Sequence, residues 1–149
     1  MSNKKITGII AVFILMISGI CLLAETDEVD STFKKGIEYT NQGKYEKAIQ
    51  QFTKVITSDS DYKNAYLALG VVYINMKMEG EAVELLKKAI ELDPENRRTY
   101  FILAKLYEKL EDDKLAIETW EKYLSFDPDS KHEETAKKHL DRLKGKNEK

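Results

Sequence analysis

The sequence predicts an all-α protein. Helical hairpins repeat along the chain and stack into an α-α superhelix, a C-terminal helix caps the stack, and an N-terminal hydrophobic helix precedes it. Three observations lead there. Residue types recur every 34 positions: Gly36, Gly70 and Ala104; Tyr39, Tyr73 and Tyr107; Ala48, Ala82 and Ala116; then Phe52, Leu86 and Trp120. A fixed period of this length is the signature of a stacked array. Within each period the apolar residues fall three or four apart, which is the spacing of one helical face. Ahead of the array lies an uncharged run from Ile6 to Ala24.

Each period reads as two amphipathic helices joined by a short turn, giving units at about 29–62, 63–96 and 97–130. In the second unit Tyr66, Leu69, Gly70 and Tyr73 share one face of the first helix, and Ala82, Leu85, Leu86, Ala89 and Ile90 share one face of the second. Asp93-Pro94 then ends the helix, because proline lacks an N–H and disfavours a helical residue before it. Mid-helix glycine costs about 1 kcal/mol relative to alanine. Close approach of the paired helix offsets that cost, with Ala48, Ala82 and Ala116 as the matching small residues. The tyrosines and Phe52, Leu86 and Trp120 are expected to fill the space to the next unit.

A small residue, Tyr three further on, Ala nine beyond that, then a bulky apolar residue and Pro: this pattern resembles the tetratricopeptide repeat family over residues 29–130. The first unit departs from it. Ser60 stands where Pro94 and Pro128 stand, and Thr32 where Tyr66 and Tyr100 stand. Gly43 suits a left-handed helix cap, but Lys77 and Glu111 hold its place in the later units. After the third unit, Ser130 with Glu133 reads as a capping box. Ala136, Leu140 and Leu143 give the helix in 131–149 a narrow apolar stripe, resembling the solvating helix that closes such arrays.

Lys4 and Lys5 precede the uncharged run, and Glu25, Asp27, Glu28 and Asp30 follow it in an acidic juxtamembrane linker at 25–31. Eleven of residues 6–24 are Ile, Leu, Val or Phe. At about 0.3–0.6 kcal/mol each they favour insertion by several kcal/mol, and a helix of that length reaches about 28 Å, near the hydrocarbon thickness. The charge asymmetry puts the start in the cytoplasm and the repeats on the extracytoplasmic, periplasmic side. Three readings of 1–24 stand side by side: a transmembrane anchor, a signal peptide cleaved after Ala24, and lipidation at Cys21.

The chain carries a formal net charge of −2, and removing residues 1–24 leaves −4, since only Lys4 and Lys5 go with them. That excludes a nucleic-acid partner, which needs a basic stripe to displace counterions. Cys21 is the only cysteine, so the array is held by packing without an intramolecular disulfide. Among the titratable residues no catalytic pattern emerges. His132 and His139, seven apart with no Cys partner, read as solvated surface and not as metal ligands. The carboxylates at Asp59/Asp61 and Asp112-Asp113 suit helix starts, and there is no Gly-rich phosphate loop or nucleophile elbow. No enzyme activity, cofactor or metal is expected.

The resemblance implies a ligand-facing concave side made by the first helix of each unit. Carried onto this chain it comprises Phe33, Ile37 and Asn41; then Asn64, Leu67, Val71, Ile74 and Asn75; then Arg98, Phe101, Lys105 and Lys109. Members that clamp an acidic carboxyl-terminal tail use Lys and Asn where this chain has Phe33 and Ile37, so that specificity does not carry over. An apolar trough ending in a basic patch suits an amphipathic helix or an extended peptide with an acidic end. The expected function is a non-enzymatic protein-binding scaffold of the cell envelope. The alternatives are a structural, self-associating (homo-oligomeric) envelope component and a periplasmic small-ligand carrier, which needs an enclosed pocket with converging polar groups.

Overall fold

The computed structural model describes residues 27–126 and 132–147, all of whose regular structure is helical. The chain divides into two compact units, Met1–Asp59 and Ser60–Lys149.

In the first unit, residues 27–41 form α1 and Tyr45–Ser58 form α2. Residues 27–31 run continuously into 32–41, so Asp27, Glu28 and Asp30 belong to a helix and not to a linker ahead of it. Asp30 and Lys34 stand in the favourable i,i+4 order. The two helices close on each other at Gly36: a Cβ there would lie 2.5 Å from the Phe52 ring. Phe52 is fully buried with Ala48 and Val55, and its ring centroid is 5.5 Å from that of Phe33. The sequence reading expected Phe52 to fill space toward the next unit. It fills the space over its own glycine instead, because the missing side chain leaves room for a ring there. The turn is a left-handed cap. Gly43 has φ 69°, its N–H donates to the Thr40 carbonyl at 3.0 Å, and the Lys44 N–H donates to the Tyr39 carbonyl at 2.9 Å.

The second unit contains α3 (Lys63–Asn75), α4 (Glu79–Leu92), α5 (Arg97–Lys109), α6 (Asp113–Leu124) and α7 (Glu133–Asn147). Gly70 repeats the Gly36 device in looser form, with a Cβ 3.2 Å from Leu86 and 3.6 Å from the Ala82 carbonyl oxygen. Leu86, like Phe52, thus covers the glycine of its own hairpin. In the third hairpin Ala104 and Ala116 are fully buried, and Trp120 reaches onward to stack on His139 of α7, centroids 5.3 Å apart. One cluster joins these elements, including Leu67, Leu86, Leu103, Trp120, Ala136, Leu140 and Leu143. The α7 stripe therefore covers the last hairpin as the sequence led one to expect; Ser130, its expected cap, lies outside the described residues.

The turns inside the two hairpins of this unit keep the left-handed cap without glycine. Lys77 has φ 60° and Glu111 φ 58°, and the Met78 and Asp112 N–H groups donate to the Tyr73 and Tyr107 carbonyls at 2.9 and 3.0 Å. The hydrogen-bond pair that satisfies the last helix carbonyls holds these residues in αL against its steric cost. Helix starts are marked by Asn96, which accepts from the Thr99 N–H, and Asp112, which accepts from the Leu115 N–H at 3.0 Å. Lys63 bridges to Asp93 at 2.9 Å and Lys109 to Glu79 at 2.7 Å, tying hairpin ends together.

Residues 6–24 lie outside the described residues. Among the described ones no helix is long and apolar enough to cross a membrane.

Candidate functional site

The expected binding residues fall into two groups. On α1, Phe33, Ile37 and Asn41 are spaced four apart on one face. Phe33 is half-buried against Phe52, while Asn41 is exposed and Ile37 is 37% exposed, unusual for a large aliphatic. The remaining nine sit on α3 and α5 in the second unit.

On α3, Asn64 and Asn75 are exposed, and Val71 and Ile74 are half-buried against the core cluster. Leu67 does not face outward as the sequence reading had it. It is 8% exposed and belongs to the core cluster itself, because α3 is apolar around most of its circumference and buries more than one face. The apolar surface α3 presents is thus that of Val71 and Ile74.

On α5, Arg98, Phe101 and Lys105 form one stripe at spacings of three and four. Asn96 caps this helix, so its first turn is well defined. The Phe101 ring is half-buried, packed edge-on against Trp120 and Tyr123 at 5.2 and 5.4 Å and tilted against His132 at 5.2 Å. The Lys105 ammonium lies 5.8 Å from its centroid. Among the described residues neither Arg98 nor Lys105 has an ion-pair partner. Lys109, expected to complete the basic patch, is engaged instead: Glu79 takes its ammonium at 2.7 Å, and that hydrogen bond holds the Glu79 carboxyl below the usual range. The cations this face offers to a ligand are therefore Arg98 and Lys105. Seven residues apart on one helix, they stand about 10 Å from each other along the axis.

Of the two histidines read as solvated surface, His132 is exposed, while His139 is half-buried. His132 lies against Phe101. His139 stacks on Trp120 and meets Glu108, whose side chain is 11% exposed. Glu108 also accepts from Trp120 Nε1 at 2.6 Å and from Arg142. The Arg142 guanidinium also lies 3.3 Å from the same His139 Nδ1. This clasp fastens α7 to the third hairpin. Its only signal in the sequence was the one-face spacing of the two histidines; nothing marked Glu108. Among the described residues no group of His, Cys, Asp and Glu is arranged to hold a metal.

Comparison with known proteins places this geometry. A family model described as a TPR repeat matches residues 36–77, and one described as a tetratricopeptide repeat matches 64–96 and 98–130. The chain belongs to the tetratricopeptide repeat family. No curated protein matches the sequence significantly. Among solved structures, the Yersinia enterocolitica type III secretion chaperone SycD, in complex with a peptide of the translocator YopD, is similar at TM-score 0.75 and 18% identity, over 81% of this chain and 95% of that one. The first TPR of Spaghetti bound to an HSP90 peptide is similar at 0.72 and 21%, over 81% and 94%. MamA is similar at 0.65 and 24%, over 87% and 84%. At these identities the likeness is one of fold. The tetratricopeptide repeat units of this chain carry the same hairpin three times, with α7 closing the last.

Proposed function

We propose that this tetratricopeptide repeat protein is a non-enzymatic adaptor, whose α3 and α5 face binds a polypeptide segment combining apolar and acidic residues. The observation that carries this is the pair of cations, Arg98 and Lys105, which have no ion-pair partner among the described residues and flank the partly open Phe101 ring while the neighbouring Lys109 is neutralised by Glu79. Val71 and Ile74, half-buried on α3, supply further apolar surface, and Asn64 and Asn75 supply side-chain amides for a bound backbone. The peptide complexes of SycD and Spaghetti support the reading, since both show peptides held by chains of this fold. Exposed cations on such a face act mainly through steering and register, and salt weakens them.

The same proposal includes the location. Lys4 and Lys5, the uncharged Ile6 to Ala24 and the acids that follow support an anchored chain with its repeats on the extracytoplasmic side. Cleavage and lipidation at Cys21 leave the repeats on that same side.

The test is charge reversal. Partner recovered with the full chain from membrane extracts is compared with that recovered by an Arg98→Glu, Lys105→Glu variant of unchanged helicity. The expected result is at least a tenfold loss, with wild-type capture falling as salt rises. Equal capture by both chains would overturn the reading.

A further inference from the structure

A hollow of about 370 Å³ opens on the first unit, between the start of α1 and the end of α2, lined by Glu28, Val29, Thr32, Lys54, Val55 and Ser58 among others. Its origin lies in the 34-residue register. Thr32 corresponds to Tyr66 and Tyr100, and Ser58 corresponds to Leu92 and Phe126. In the third hairpin the niche between these two positions is full: Tyr100 and Phe126 pack with ring centroids 5.3 Å apart. In the second hairpin Tyr66 occupies the first of the two positions and donates its hydroxyl to the Ser60 carbonyl at 3.0 Å. Only in the first unit are both positions small.

The chemistry of the walls narrows what fits. The Thr32 and Thr57 hydroxyls donate to the Glu28 and Thr53 carbonyls of their own helices, both at 2.8 Å, so their protons are already placed, and the Glu28 carboxylate at the wall can accept from a tyrosine hydroxyl. What the hollow lacks is bulk. Lys54 sits at its edge and corresponds to Lys122, whose ammonium lies 5.0 Å from the Phe126 centroid. The register therefore places a cation where an aromatic face is favoured over an aliphatic chain. At a few hundred cubic ångströms the hollow has the size of a small ligand site.

We propose that this hollow is a second, separate binding site, which takes a tyrosine or phenylalanine side chain presented by another polypeptide. The incoming ring stands in for the bulk that Tyr100 and Phe126 supply in the third hairpin and that Thr32 and Ser58 lack in the first. The site is independent of the α3 and α5 face, as its residues belong to α1 and α2.

The test uses the full chain, with N-acetyltyrosinamide as probe and N-acetylalaninamide and N-acetylleucinamide as controls, followed by methyl NMR of Val29, Thr32 and Val55. The expected result is saturable shifts at these methyls with millimolar affinity for the tyrosine probe, and at least tenfold weaker effects from both controls. Thr32→Tyr should abolish the shifts at Val29 and Val55 and raise Tm by about 3–6 °C, the scale of roughly 1 kcal/mol in a domain of this size. If Thr32→Tyr fails to fold, Ser58→Leu serves the same purpose by restoring the residue type at Leu92. The proposal is overturned by an absence of saturable shifts, including the case where the chain's own preceding residues close the hollow. Equal binding of the leucine probe, or undiminished binding by the filled variant, overturns it as well.

Discussion

Gly36→Ala is expected to destabilise the protein, against the usual effect of that substitution inside a helix. The added Cβ would lie 2.5 Å from Phe52 Cε1 and 2.8 Å from Cδ1 and Cζ. A flexible chain end could yield, but this is a fully buried ring held against Phe33. Overpacking of this kind costs about 1–3 kcal/mol, and so close an approach belongs in the upper half of that range. Better helix propensity returns about 1 kcal/mol, leaving a net loss of about 1–2 kcal/mol. Gly70→Ala provides the contrast. There the nearest atoms are Leu86 Cγ and Cδ2 at 3.2 Å, so a shift of a few tenths of an ångström suffices. Its two contributions nearly cancel, and the net change should lie within about 0.5 kcal/mol of zero. Urea unfolding of the full chain, followed by far-UV circular dichroism, reads both. Adding Phe52→Leu to Gly36→Ala should cost less than the sum of the two single changes, since the smaller side chain relieves the clash. A Gly36→Ala chain as stable as wild type, or more so, would refute the close packing of α1 on α2.

Further outcomes follow from local geometry at four sites. Lys77→Gly should stabilise by about 0.5–1 kcal/mol in thermal unfolding, because φ 60° strains a side chain but not glycine; Gly43→Ala should destabilise by a similar amount for the converse reason. Glu108→Ala leaves Trp120 Nε1 and the α7 donors without their acceptor and should cost about 2–3 kcal/mol, with faster amide exchange in α7, whereas Glu108→Gln keeps the indole bond and should cost less. The Lys63 hydrogen bond holds the Asp93 carboxyl below its usual range, so its contribution is present above the unfolded pKa and disappears as pH falls through the folded value. Asp93→Asn should therefore lower Tm at neutral pH, with the difference from wild type shrinking once pH falls below the unfolded carboxylate value of about 4 and gone only when the folded carboxyl is itself protonated.

The architecture was legible because the period of the array fixes which residues share a face: Gly36 with Gly70, Ala48 with Ala82, and the α7 stripe of Ala136, Leu140 and Leu143 all pack as their spacing implies. Spacing alone could not say which neighbour fills the room a glycine leaves. Phe52 and Leu86 were assigned outward for that reason, although each lies over its own hairpin's glycine. The left-handed turns at Lys77 and Glu111 were hidden because a hydrogen-bond pattern, not a residue type, enforces them. At the candidate face, periodicity identified the helices but not the depth of each side chain. Leu67 sinks into the core because α3 is apolar on more than one side, and Lys109 is withdrawn by Glu79, a partner thirty residues earlier that no local pattern reveals. The hollow beside Thr32 was half visible as a break in the register, and its other half, Ser58, emerges only when both positions are seen to meet in space.

The central claim, that the α5 stripe meets another polypeptide, is tested most directly by site-specific photocrosslinking in intact cells. A photoreactive residue at Lys105 should capture a discrete protein partner, and one at Lys87, exposed on α4, should not. Capture from Lys87 with none from Lys105 would contradict the account.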